Sequence, residues 1–178
     1  MSTPPDPLPR AATPAAYARV IVDACWRAGR DPAALLELAQ ITPAEIAPPT
    51  GRITARQLEQ LSGAAMQDLD DEALGAFRRR LPWGSYGMLA RASITSPELG
   101  LALRRWCRHH ALLTEDILLR VDVSEGSAAI RVLEHPVHAM LPADAREFSL
   151  VHVLRNIHGL ACWMVDSRIA LRESRFPF

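Results

Sequence analysis

Residues 81–134, LPWGSYGMLARASITSPELGLALRRWCRHHALLTEDILLRVDVSEGSAAIRVLE, hold the pattern from which the fold is read. A glycine-bearing loop comes first. Ser96-Pro97 then predicts a helix start, since Ser caps and Pro fits the first helical position. Leu99, Ala102, Leu103, Trp106, Cys107, His110 and Leu113 recur at helical spacing and predict one buried stripe, with Arg104, Arg105 and Arg108 opposite. After Glu115-Asp116 the period drops to that of a strand. Ile117, Leu119, Val121 and Val123 share a face, Ser124-Glu125-Gly126-Ser127 turns, and Ile130 and Val132 return on the same side. A helix and a hairpin with matching apolar faces define an α+β core.

Outward from this stretch the pattern is helical. Residues 1–12 are proline-rich and are expected to be disordered, leaving 13–178 as a single domain. Thr13-Pro14 opens a helix with Tyr17, Val20, Ile21, Ala24 and Cys25 on one face, and Asp31-Pro32 opens a second. Thr42-Pro43-Ala44-Glu45 and Thr54-Ala55-Arg56-Gln57 are capping boxes that start two more. Residues 41–46 carry no Arg, Asn or Gln for base edges, so these short helices do not read as a DNA-reading unit. A short helix is expected from Asp71 to about Arg80, with Asp68, Asp70, Asp71 and Glu72 as exposed ends and caps. His135-Pro136-Val137-His138 reads as a connector. A last helix follows from Asp144 to about Val165. It has a wide apolar arc (Leu150, Val153, Leu154, Ile157, Leu160, Ala161, Met164) and a narrower remainder holding His152, Asn156 and Trp163. Alternation over 168–176 predicts a third strand beside the hairpin 117–133. The expected class is therefore α+β, mainly helical with a small antiparallel sheet.

Composition limits the function. The chain has 178 residues and a formal net charge of zero, and all 20 basic residues are arginine. A zero balance argues against autonomous nucleic-acid binding, which draws much of its affinity from phosphate neutralisation. Three cysteines, widely spaced in apolar helical patterns, read as reduced thiols of a cytoplasmic protein. The N-terminus lacks the regions of a signal peptide, and no apolar run approaches a membrane span. Neither GxSxG, a glycine-rich phosphate loop nor HExxH occurs, so no catalytic residue is assigned and an enzyme is not expected. His158 and Cys162, and His135 and His138, pair at short spacing but lack further ligands; no metal and no cofactor is assigned.

The order Gly84-Ser85-Tyr86-Gly87-Met88-Leu89, then Ile94 to Arg105, then His110 to Leu113, resembles the N-terminal effector domain of AraC-type transcription regulators, in the subgroup labelled "arabinose-binding". Gly51-Arg52-Ile53 and Asp71-Glu72-Ala73-Leu74-Gly75 sit where that family has similar segments. The resemblance covers roughly residues 15–178 and rests on order and spacing, since each motif alone is soft. It implies a ligand-sensing regulatory domain that precedes two DNA-binding helix-turn-helix units, which this chain does not contain. It implies a homodimer whose contact with DNA runs only through that further region. Amphipathicity, and no family contact, nominates Trp83, Tyr86, Trp106, His110, His152, Asn156 and Trp163 as ligand-binding candidates. They suit an apolar or aromatic effector; the family label does not identify arabinose. The competing reading is a dimerisation module without ligand, drawn from the wide apolar arc of the last helix.

Overall fold

The computed structural model describes residues 12–178; apart from Ala12, the segment expected to be disordered lies outside that range. The chain is a mainly helical α+β protein with two small antiparallel sheets, and it divides into two compact units between Leu69 and Asp70.

In the first unit, β1 (Thr13–Pro14) pairs with β2 (Arg52–Ile53), and the described residues add four helices: α1 (Ala15–Arg27), α2 (Ala33–Leu38), α3 (Pro43–Ile46) and α4 (Ala55–Asp68). Both capping boxes form. Thr42 N–H donates to Glu45 Oε2 at 2.7 Å, and Thr54 N–H to Gln57 Oε1 at 2.8 Å. α1 packs on α4, each burying one apolar stripe: Ala18, Ile21 and Cys25 on α1, and Leu58, Leu61 and Ala65 on α4. Gly51 is required by closeness, since a Cβ there would lie 2.5 Å from the Glu45 carbonyl oxygen.

The second unit holds α5 (Ser85–Ile94), α6 (Leu99–Leu113), β3 (Ile117–Ser124), β4 (Ser127–Glu134), α7 (Pro136–Ala139) and α8 (Ala143–Met164). The stripe predicted for α6 is the buried one: Ala102, Leu103, Trp106, Cys107 and His110. The hairpin register sets Leu119 opposite Val132 and Val121 opposite Ile130, on the face turned to the core. Gly126, at φ 70°, makes the turn. Val123 is 63% exposed, because the strand tip runs beyond the core. From α8, Val153, Ile157 and Ala161 close the same core.

Four expectations are corrected. α6 begins at Leu99, because Glu98 is still extended (φ −144°, ψ 153°) and Ser96 stands too far upstream to cap. Ser85–Ile94 is a helix, so the glycine-bearing loop is shorter than expected. Residues 71–80 form turns, with Leu74 and Gly75 both left-handed, because the Asp71 side chain takes the backbone N–H groups a helix would use. Finally, 168–176 forms no strand. The backbone groups of Ile169 are engaged by α8 instead: its N–H donates to Cys162 Sγ at 3.4 Å, and its carbonyl accepts from His158 Nε2 at 2.9 Å. A ladder would need those same groups.

Candidate functional site

Asp70, Asp71 and Glu72 organise the approach to α5. Asp71 is 3% exposed and Glu72 6%, so these are interior acids and not exposed caps. Asp71 accepts from the N–H groups of Ala73, Gly75 and Leu81 at 3.0, 2.8 and 2.9 Å. Asp70 accepts from Trp83 N–H. Glu72 accepts from Gly84 N–H at 2.9 Å and Tyr86 N–H at 2.7 Å, which sets a carboxylate at the positive end of α5. The loop 81–84 is thereby fixed, and Tyr86 enters the core from the first turn of α5.

There Tyr86 meets α6 and α8. Its ring stacks on Trp106 with centroids 5.8 Å apart and an interplanar angle of 8°, and lies 6.0 Å from His110 and 6.3 Å from His152. Trp106 and His110 stand 5.2 Å apart, and Phe77 approaches His110 edge-on at 6.3 Å. Asn156, one turn along α8, donates from Nδ2 to His152 Nε2 at 3.1 Å. That bond leaves the His152 proton on Nδ1.

His110 is treated differently. It is 0% exposed, yet neither Nδ1 nor Nε2 has a hydrogen-bond partner in the protein; the Tyr86 hydroxyl beside it is also buried and unpartnered. Burial draws His110 down to about 4 and, with the charge of Arg155 added, His152 down to about 4. Burial raises the Tyr86 phenol, with the Glu72 and Asp71 carboxylates adding to it. All three rings are therefore uncharged near neutral pH.

Of the nominated residues the structure brings together Tyr86, Trp106, His110, His152 and Asn156. Trp83 and Trp163 stand apart, 51% and 64% exposed. Phe77 and Glu72 were missed. Phe77 lay in the short helix expected from Asp71 to about Arg80 and was not singled out, and Glu72 acts on residues 12 and 14 positions away, which no local motif reveals.

Two other arrangements bear on chemistry. Glu134, His138 and Ser149 form a chain in which His138 Nδ1 bonds Glu134 Oε2 at 3.0 Å and Nε2 bonds Ser149 Oγ at 2.9 Å. The order resembles a nucleophile–base–acid relay, but Ser149 is 3% exposed inside α8, where no substrate reaches its hydroxyl. Arg146 completes the network with two bonds to Glu134 and holds that carboxyl below its usual range. A surface groove of about 270 Å³ lies elsewhere, lined by Arg78, Arg79 and residues 111–116. It is separate from the ring cluster. Its floor is fixed by Asp116, whose two oxygens accept from Arg78 N–H and Nε. Among the described residues, no group of three or more His, Cys, Asp or Glu is placed to hold a metal ion, and no helix is long and apolar enough to cross a membrane.

The chain belongs to the family described as the N-terminal arabinose-binding domain of AraC transcription regulators, whose model matches residues 29–178. It is similar to the ornithine utilization regulator of Pseudomonas aeruginosa, at 26% identity over 166 residues. That match covers 93% of this chain and 47% of the relative, so the chain spans about half of the relative's length.

Proposed function

We propose that this domain senses a small molecule at the Tyr86–Trp106–His110–His152 cluster and reports occupancy through dimer or interdomain geometry. One observation carries the reading: three buried polar atoms, Tyr86 Oη and both nitrogens of His110, belong to neighbouring rings and have no partner in the protein. Buried polar groups are ordinarily bonded, and exceptions concentrate where a site has a use for them. A ligand that satisfies these atoms binds one arrangement of the domain better than another, which is the condition for shifting a population. α8 is the natural carrier, because it holds His152 and Asn156 within the cluster and exposes Trp163 at its far end. As a cytoplasmic regulator, the whole protein would contact DNA through a separate region.

A second reading, dimerisation without a ligand, is favoured by exposed apolar side chains at and beyond the end of α8: Trp163, Val165 and Leu171. Light scattering with a thermal-shift screen of metabolites separates the two. A ligand at about 100 times its Kd adds about 2.7 kcal/mol to the folded state. A metabolite that raises Tm in the parent but not in His110→Phe supports sensing at the cluster. A tight dimer that no metabolite stabilises, and that Trp163→Ser dissociates, supports assembly alone.

A further inference from the structure

Resting on the sensing reading, we infer the charge class of the effector: an uncharged molecule with a flat apolar body and at least one hydrogen-bonding oxygen or nitrogen, such as an alcohol, amide, ketone or phenol. The side chains around His110 are aromatic. Phe77, Tyr86 and Trp106 surround His110, and such faces accept flat apolar groups. The unsatisfied atoms offer a phenolic O–H and one donor with one acceptor on a neutral imidazole. That set matches a dipole and not an ion.

The charges around the cluster point the same way. Asp71 and Glu72 act on Tyr86, and a carboxylate or phosphate in the cluster would meet both, with no buried arginine among the described residues to offset them. Their charge is already met in part by backbone N–H groups at 2.7–3.0 Å and, for Glu72, by the positive end of α5, which leaves less of it for an ammonium than a bare carboxylate would offer. Arg155, which acts on His152, is on the exposed side of α8. An ion placed here would lose its hydration without a partner, the costliest form of burial. The ornithine utilization regulator's name points to an amino acid, and a zwitterion is what this cluster fits least.

The test is a fragment titration of the full chain followed by NMR, reading the ring resonances of Tyr86 and Trp106. The probes are aromatic fragments matched in shape, benzamide and benzyl alcohol against benzoate and benzylammonium, within a library balanced among the three charge classes. Neutral members should bind at least about tenfold tighter than their charged counterparts, and both His110→Phe and Tyr86→Phe should weaken them. Charged members that bind as tightly at these resonances overturn the charge class while leaving the site in place. If no fragment moves either ring, the sensing reading itself is overturned.

Discussion

His110→Phe should change the stability of the ligand-free protein by no more than about 2 kcal/mol in either direction near pH 7. The parent buries an imidazole that is 0% exposed with neither nitrogen bonded, and an unsatisfied buried polar group costs about 1–3 kcal/mol. Phenylalanine removes that cost but adds bulk among Phe77, Tyr86 and Trp106, and overpacking typically takes back about 1–3 kcal/mol. Acid separates the variant from the parent further. Burial holds the folded His110 at about 4, below the ordinary value of 6.5. Between those values the unfolded chain takes up a proton that the folded one refuses, so the parent loses stability as pH falls through this window. By about pH 5 the loss from this residue alone approaches about 2 kcal/mol. The variant lacks it, whereas titrations elsewhere cancel in the difference. Urea denaturation of both proteins near pH 7 and pH 5 measures the change. A variant that is less stable by more than about 2 kcal/mol near neutrality, or a parent–variant difference independent of pH, would refute the reasoning.

Three other outcomes follow from contacts already described. His138→Phe should destabilise by about 2–4 kcal/mol in the same denaturation assay, because it strands the Ser149 hydroxyl and removes a bond to Glu134; a neutral result would show that the network contributes nothing. Asp71→Ala should cost about 2–4 kcal/mol, since it frees the buried N–H groups of Ala73 and Leu81 and the more open one of Gly75. It should also broaden the Tyr86 and Trp83 resonances, because the loop they share is no longer fixed. Gly51→Ala should lower stability by about 1–3 kcal/mol, given the 2.5 Å approach of its Cβ to a backbone oxygen that cannot rotate away.

What the sequence disclosed is what periodicity encodes. The α6 stripe and the inner face of the hairpin each repeat within one element, so Leu103, Trp106, Ile117 and Leu119 are legible as core without knowing their partners. Both capping boxes are equally local, resting on residues three apart. Bonds between distant segments were invisible. Glu72 reaches Gly84 and Tyr86, Asp71 reaches Leu81, and the run of acids read as solvated helix ends because nothing nearby announces a buried role. The α5 helix escaped notice for the same reason: its first turn is capped from another segment, and Gly87 weakens its local signal. At 168–176 the alternation was real, yet two side chains on α8 took the backbone groups that a strand would have shared.

The two fully buried histidines, His110 and His138, show how far the cluster departs from ordinary packing. Both adjoin Phe77, at 6.3 and 5.9 Å. His138 has a carboxylate on one nitrogen and a hydroxyl on the other, and Arg146 in turn binds that carboxylate, so every polar atom is accounted for. A fold that assembles so complete a set of partners for one imidazole has the means to do so for the next. At His110 it supplies aromatic faces only, and sets beside them a tyrosine whose hydroxyl is likewise unmet. Stability alone would favour phenylalanine at Tyr86, since that exchange keeps the apolar contact and removes an unsatisfied atom. Retaining three unmet atoms in one place is consistent with a site whose bonding is completed by something other than the chain, and it locates the trade between stability and function at α5 and α6, not at the satisfied network between β4 and α8.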